Sequence, residues 1–98
     1  MPPKKLKFPF GLYRVSGESM LPTYRPGDTL LGLCWFTPRP GQVVVAHHAG
    51  RPLIKRLTAI AHGQATLLGD NPAASTDSRH FGPIPVERLE ARILAKLP

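Results

Sequence analysis

The apolar residues of this chain occur in short runs separated by proline and glycine, a pattern typical of strands joined by tight turns. Turn-forming residues cluster at 24–28, 38–41, 49–52 and 62–63, where proline presets φ and glycine admits a left-handed backbone. The runs between them predict strands at Leu12–Val15, Thr29–Trp35, Gln42–His47, Leu53–Ile60 and Ala65–Leu68. The pattern therefore predicts a mainly β fold: a single small domain of short, mostly antiparallel strands.

Three other segments are less regular. Residues 1–11 form a basic tail in front of the domain, which is assigned to residues 12–98. Residues 70–83 are predicted to form a long polar loop, and loops of that length in compact domains tend to be functional or disordered. The last segment, Val86–Leu97, is compatible with a strand, with a helical turn followed by a strand, or with a helix.

Composition and charge indicate one globular domain without a nucleic-acid partner. The 98 residues leave room for one core, and 42% hydrophobic and 19% charged residues are typical of a globular protein. The net charge of +7 raises the question of an acidic partner. However, the basic residues are scattered apart from Lys4, Lys5 and Lys7, and the sequence has no helix-turn-helix, zinc-ligand or RNA-recognition pattern. Nucleic-acid binding is not predicted, and membrane contact through these lysines is predicted to be weak at most.

The sequence shows neither a membrane anchor nor a signal peptide. Its longest apolar run, Leu30–Phe36, is far shorter than the roughly 20 residues that a membrane span needs. The N-terminal lysines are not followed by the apolar stretch of a signal peptide. The expected location is therefore the cytoplasm, with membrane association as the alternative.

The single cysteine and the paired histidines do not indicate a cofactor. Cys34 has no partner for an internal disulfide and is expected to be a buried small hydrophobe. His47 and His48 are adjacent on a predicted strand, so their side chains point to opposite faces and cannot easily hold one ion together. No metal and no cofactor are predicted.

The stretch VSGESMLPT places Ser19 in a turn, and a reactive serine needs a group that takes its proton. Neither of the nearest histidines, His47 and His48, lies in a sequence context that suggests a Ser–His pair. Lys55 is a candidate because its predicted strand places it on one face with Leu53 and Leu57. Burial lowers a lysine pKa, and a neutral lysine can accept the proton of a serine hydroxyl. From this segment alone, a surface lysine on an edge strand is the more common interpretation.

Three separate segments together resemble one group of peptidases. Residues 17–23, GESMLPT, fit the pattern G-x-S-M-x-P-T. Residues 54–56, IKR, fit a box that carries a general-base lysine, and residues 69–82, GDNPAASTDSRHFG, fit G-D-N-x-x-x-S-x-D-S-R-x-x-G. These are the motifs of the signal peptidase I superfamily of Ser–Lys serine peptidases, which includes the LexA-like self-cleaving repressors. The third pattern is long and specific, and the resemblance covers about residues 12–95.

The resemblance implies a signal-peptidase-like catalytic core, partly open and β-barrel-like, with a Ser–Lys dyad. Ser19 aligns with the family's nucleophile and Lys55 with its general base. Ser75 aligns with the serine that hydrogen-bonds the lysine amine and orients it. Asp77 and Arg79 align with a charged pair that holds the loop beside the active site.

The resemblance leaves the oxyanion hole incomplete. The backbone N–H of the nucleophile is one expected donor. Some family members add a serine hydroxyl two residues earlier, where this chain has Gly17, so it stays open whether Ser16 or another backbone N–H replaces it. Met20 is expected to pack beneath the nucleophile and border the substrate, with plain core packing as an equal alternative. Asp70 and Asn71 are expected to be turn-forming residues.

Two departures from the family narrow the predicted function. The sequence after Lys55 and Arg56 lacks the usual V-x-G-x-P-G-D continuation, and neither the long insertion nor the transmembrane anchor of larger signal peptidases is present. Small anchorless members resemble the maturation protease of nickel-type superoxide dismutase. The predicted activity is removal of an N-terminal propeptide or leader from a precursor protein with an extended N-terminal segment, by this resemblance a nickel-type superoxide dismutase precursor. The alternatives are signal peptidase I-type processing at a membrane and a non-catalytic LexA-like interaction module.

Overall fold

Seven strands form one antiparallel sheet in the computed structural model, which describes residues 8–98. In chain order they are β1 (Phe10–Arg14), β2 (Thr29–Leu33), β3 (Val43–His48), β4 (Arg51–Ala61), β5 (Gln64–Leu68), β6 (Ile84–Pro85) and β7 (Leu89–Lys96). The helix α1 (Ser78–Phe81) and short 3₁₀ turns at Pro72–Ala74 and Val86–Arg88 lie between them. The order across the open sheet is β1-β2-β7-β3-β4-β5-β6. The prediction of a mainly β, single small domain is confirmed.

The last strand in the sequence lies in the middle of the sheet. β7 pairs with β2 on one side and with β3 on the other. Its buried residues, Leu89, Ala91 and Ile93, alternate with more exposed ones, as expected for a strand. Of the alternatives for Val86–Leu97, the structure shows the helical turn followed by a strand.

The strand β3 is buried on both faces and separates two apolar clusters. Val43 and Val45 belong to the cluster that also contains Val15, Met20, Leu30, Ala91 and Ile93. Val44 and Ala46 belong to the second cluster, with Leu57, Ala65, Leu67, Ile84 and Leu89. Four consecutive apolar residues on one strand are explained by this position, because a central strand covered on both faces has no solvent side.

The predicted loop at 70–83 contains secondary structure. The segment includes the 3₁₀ turn Pro72–Ala74 and the helix α1, which Asp77 caps by accepting a hydrogen bond from the backbone N–H of Arg79. The polar side chains indicated solvent exposure, yet Asp77 is fully buried because its hydrogen-bond donors lie in and beside the same segment.

Two element boundaries differ from those read off the sequence. Phe10 and Gly11, assigned to the tail, pair with β2 as part of β1. The strand β2 ends at Leu33, and Trp35, expected inside a buried strand, is 51% exposed. The three lysines of the predicted weak membrane contact lie outside the described residues: Lys4, Lys5 and Lys7.

A stripe of large apolar side chains is exposed along and beside the edge strand β1. The stripe, called the β1 stripe below, consists of Phe8, Phe10 and Leu12, which are 85%, 54% and 66% exposed. Phe10 and Leu12 are alternate residues of β1 and share a face, and Phe8 lies just before the strand. Within residues 8–98, no helix has the length and apolar character needed to cross a membrane.

Candidate active site

Ser19 and Lys55 line the same groove, which has a volume of about 380 Å³. Ser19 lies in the turn that follows β1, and Lys55 lies near the middle of β4. Apolar side chains such as Val45 and Ile54 form much of the wall, and Met20 closes the groove from the core side. Met20 is only 1% exposed, so it packs in the core and borders the groove at once. The fold thus brings together a hydroxyl and an amine from distant parts of the chain.

Lys55 is a buried lysine. It lies opposite Val44 in the β3–β4 ladder, two residues before Leu57, and is 5% exposed. Burial is the largest influence on this amine and lowers its pKa, because the ammonium form loses hydration. The carboxylate of Asp77 opposes this shift, and the guanidinium of Arg79 adds to it. The net result is a lysine pKa below 10.5, which favours the neutral amine that a general base requires.

The buried carboxylate of Asp77 organises the third motif. Its Oδ2 accepts hydrogen bonds from the Ser75 hydroxyl at 2.6 Å and from the Gly69 backbone N–H at 2.8 Å. Arg79 donates to both carboxylate oxygens, with Nε 2.9 Å from Oδ1. Burial alone would raise the pKa of Asp77, but the hydrogen bonds from Arg79, Ser75 and Gly69 outweigh it and hold the pKa well below its usual range.

The Ser75 hydroxyl donates its hydrogen bond to Asp77, so its oxygen lone pairs are left as acceptors. The orientation of Lys55 by Ser75, which the resemblance implies, stays a prediction. Ser75 is 7% exposed, and Gly69 lies between it and the backbone of Ser19. A Cβ placed on Gly69 would lie 2.2 Å from Ser75 Oγ and 2.7 Å from the Ser19 carbonyl oxygen. Only a glycine at position 69 therefore lets Ser75 and the Ser19 carbonyl lie so close to the backbone there.

Asp70 and Asn71 do more than form a turn. The carboxylate of Asp70 accepts hydrogen bonds from Thr23 Oγ1 and Arg56 Nη2, at 2.6 and 2.7 Å. The backbone N–H of Asn71 donates to the Ser19 carbonyl at 2.8 Å. The interpretation of both residues as turn formers missed these contacts, since their partners are far away in sequence. The only sequence signal was their place in the G-D-N pattern.

A family model described as Peptidase S24-like matches residues 5–97 of the chain. The chain belongs to this family. It is 31% identical over 109 aligned residues to mitochondrial inner membrane protease subunit 1 of Xenopus tropicalis, covering 84% of this chain and 65% of the relative. It is 30% identical over 116 aligned residues to the protein of the same name in Schizosaccharomyces pombe, covering 90% of this chain and 73% of the relative.

These findings confirm the resemblance to the signal peptidase I and LexA-like superfamily. They change the predicted type of relative from a maturation protease to inner membrane protease subunits. The chain is a Peptidase S24-like protein related to inner membrane protease subunits. Neither the family match nor these relatives support the prediction that the substrate is a nickel-type superoxide dismutase precursor. The chain spans slightly less than two thirds of the length of the frog relative.

The oxyanion side of this S24-like site has one feature that the sequence left open. Gly17 has φ +75°, a left-handed backbone angle that suits the turn. No described atom beyond its chain neighbours lies within 4 Å of where its Cβ would stand. Ser16, in contrast, lines the groove together with Ser19. Of the candidates for a second oxyanion donor, Ser16 is therefore the side chain present in the groove.

The paired histidines have different partners in this S24-like protein. His47 Nε2 contacts a carboxylate oxygen of Glu90, whereas the ring of His48 stacks on Phe81 with 4.0 Å between centroids. Within residues 8–98, no three His, Cys, Asp or Glu side chains lie close enough together to hold a metal ion. Cys34, expected to be buried, is half-buried and lies 3.6 Å from the Tyr13 hydroxyl.

Proposed function

We propose that this chain is a serine endopeptidase that removes an N-terminal segment from a precursor protein, with Ser19 as nucleophile and Lys55 as general base. The observation that carries the proposal is the buried Lys55 lining the same groove as Ser19, with a lowered pKa. A desolvated amine beside a serine hydroxyl is the arrangement that activates the nucleophile in Ser–Lys peptidases.

The proposed reaction has two steps with one proton carrier. Neutral Lys55 takes the hydroxyl proton of Ser19 while the oxygen attacks the scissile carbonyl carbon. The ammonium then protonates the departing amine, which leaves an ester on Ser19. Lys55 next takes a proton from water, which attacks the ester and releases the acid product, and the proton returns to Ser19. The Ser19 backbone N–H, with Ser16 as a second donor, stabilises the oxyanion.

The proposed substrate is an extended peptide segment. The groove borders strand β4 and the residues that follow β1, so an extended chain can add its backbone hydrogen bonds there. The family resemblance implies small side chains next to the cleaved bond. The relatives' name places protease subunits at the mitochondrial inner membrane, and we extend this to processing of precursors at a membrane for this chain.

A cleavage assay with Ser19→Ala as comparison tests this proposal. Peptides that span leader junctions of several precursors, a nickel-type superoxide dismutase precursor included, are incubated with each protein and analysed by mass spectrometry. The wild type is expected to cut at least one peptide, and Ser19→Ala none, because its side chain has no nucleophilic oxygen. Thr76→Ala, which removes an exposed hydroxyl from the third motif, is expected to retain the activity.

Three outcomes of this assay would change the proposed function. If no peptide is cut, and a serine-reactive phosphonate does not label Ser19, the proposed peptidase activity is wrong. Peptide binding without cleavage or labelling would then support the non-catalytic interaction module. Cleavage of the dismutase peptide alone would restore the narrower substrate prediction.

We further propose that the β1 stripe contacts a lipid bilayer and so places the groove beside the membrane surface. Leu12 belongs to the β1 stripe and also lines the groove, so the two surfaces are continuous. Three neighbouring exposed apolar side chains on a protein of this size are typical of an interaction site. The relatives are named as membrane proteases, which favours lipid as the partner.

Co-sedimentation with phosphatidylcholine vesicles tests the membrane contact. The wild type is expected to sediment with the vesicles, and Phe10→Ser is expected to reduce the bound fraction several-fold because it removes an aromatic side chain from the contact. Ile60→Ser, which changes an exposed apolar side chain on β4, serves as the control and is expected to bind like the wild type. Equal binding of both variants would contradict the proposed contact.

A further inference from the structure

The groove that holds Ser19 and Lys55 carries an excess of positive charge. Two arginines line it, Arg14 at the end of β1 and Arg51 at the start of β4. No aspartate or glutamate of residues 8–98 lines this groove. The two guanidinium groups keep their charge at every pH of an assay, because arginine does not release its proton in a protein. The lining is therefore cationic whether Lys55 is protonated or neutral.

Both arginines are exposed and lack an acidic partner in the described part of the chain. No hydrogen bond or ion pair within that part holds the guanidinium of Arg14 or Arg51, whereas aspartate carboxylates bind those of Arg56 and Arg79. Glu18, the acidic residue next to the nucleophile, is exposed and does not line the groove. An unpaired guanidinium can bind a ligand carboxylate through two parallel N–H···O bonds.

The strands place both arginines away from the reacting groups. Arg51 and Lys55 are four residues apart on a part of β4 that pairs with β3 without interruption, so their side chains share one face of the strand. At a rise of about 3.3 Å per residue, they lie about 13 Å apart along the strand. Arg14 is the last residue of β1 and lies five residues before Ser19. An extended peptide also covers about 13 Å with about four residues, so Arg51 lies opposite a substrate residue several positions from the cleaved bond.

We propose that Arg14 and Arg51 are specificity-determining residues that select precursors with acidic side chains a few residues away from the cleaved bond. The carboxylate of a substrate aspartate or glutamate supplies the acidic partner that the guanidinium groups lack. This inference rests on the proposed peptidase function and adds the charge of the substrate to it. Because the contacts lie away from the reacting atoms, they hold the substrate equally in the ground state and in the transition state. They therefore lower KM and leave kcat nearly unchanged.

Peptide binding to Ser19→Ala tests this inference without cleavage. The probes are acetylated, amidated decapeptides of alanine and serine that carry one glutamate, or one glutamine of the same shape, at each position in turn. Glutamate is expected to bind about fivefold tighter than glutamine at one or two positions, because only glutamate forms an ion pair with arginine. Isothermal titration calorimetry at low salt measures both dissociation constants. The difference is expected to shrink as sodium chloride is added, since salt screens exposed charges.

Substitutions of the arginines in the Ser19→Ala protein locate the contact. Arg14→Gln and Arg51→Gln are each expected to reduce the preference for glutamate, and the double substitution to remove it. Arg39→Gln is the matched control, because Arg39 is exposed, lies outside the groove and contributes the same charge. It is expected to keep the preference, which excludes a general effect of the net charge of +7. Arg51→Glu is expected to reverse the choice, so that a lysine peptide binds tighter than the glutamate peptide at the position that Arg51 contacts.

The outcomes separate this inference from the proposed peptidase function. In a junction peptide that the wild type cuts, glutamate in place of glutamine at the preferred position is expected to lower KM about fivefold and to leave kcat within about twofold. Equal binding of glutamate and glutamine peptides at every position overturns the inference even if the wild type cuts peptides. A preference that survives the double substitution overturns it as well. A preference that depends on Arg14 and Arg51 supports the inference even if no peptide is cut and the peptidase function fails.

Discussion

Lys55→Arg is expected to abolish peptide cleavage, with a loss of about 1,000-fold or more in kcat/KM. Arginine keeps a positive charge at position 55 but does not release its proton in a protein, so Ser19 has no base. Lys55→Met, which has similar length and no charge, is expected to be equally inactive. The methionine variant is not expected to be less stable, because burying a charged amine opposes folding. Cleavage kinetics and urea unfolding measure the two effects.

The pH dependence of the same reaction checks the role of Lys55. Only the deprotonated amine acts as a base, so kcat/KM is expected to rise with pH and to reach its plateau below 10.5, the ordinary lysine value. The unfolded chain binds more protons than the folded chain between the two pKa values, so the free energy of unfolding also rises with pH in that window. Lys55→Met is expected to flatten that rise in stability. Activity that survives Lys55→Arg would show that another group takes the proton.

Asp77→Ala is expected to cost about 3 kcal/mol of the free energy of unfolding. The carboxylate is fully buried, and its removal leaves the buried Gly69 N–H and Ser75 hydroxyl without their acceptor. Asp28→Ala is the matched control, because Asp28 accepts a hydrogen bond from the Arg25 backbone N–H near the surface. It is expected to cost about 1 kcal/mol. Urea unfolding at neutral pH gives both values.

Acid unfolding gives Asp77 a second signature. Because the folded pKa lies below that of the unfolded chain, the stability from this carboxylate is complete above the usual aspartate range. It is lost as the pH falls toward the depressed folded pKa. Asp77→Ala is expected to remove part of this acid sensitivity. If Asp77→Ala is as stable as Asp28→Ala in urea, the buried contacts of Asp77 contribute little to stability.

Local rules explain why much of the strand pattern and the face of Lys55 could be predicted. The two-residue period of a strand depends only on neighbouring residues, so it predicts that Lys55 and Leu57 share one face whatever the strand pairs with. Proline and glycine fix backbone angles locally, which located the turns. The segment Val86–Leu97 was ambiguous from the sequence, because the type of element it forms depends on pairing with β2 and β3, which no neighbouring residue reports.

The sequence by itself determined the family, the mainly β fold, and Ser19 and Lys55 as candidate residues, because local patterning and motif order carry that information. Only the tertiary structure decided that both line one groove, that β7 lies between β2 and β3, and that Asp77 is buried. The physical reason is distance along the chain. Thr23 and Asp70 are neighbours only after folding, and the burial that lowers the pKa of Lys55 is a property of everything packed around it.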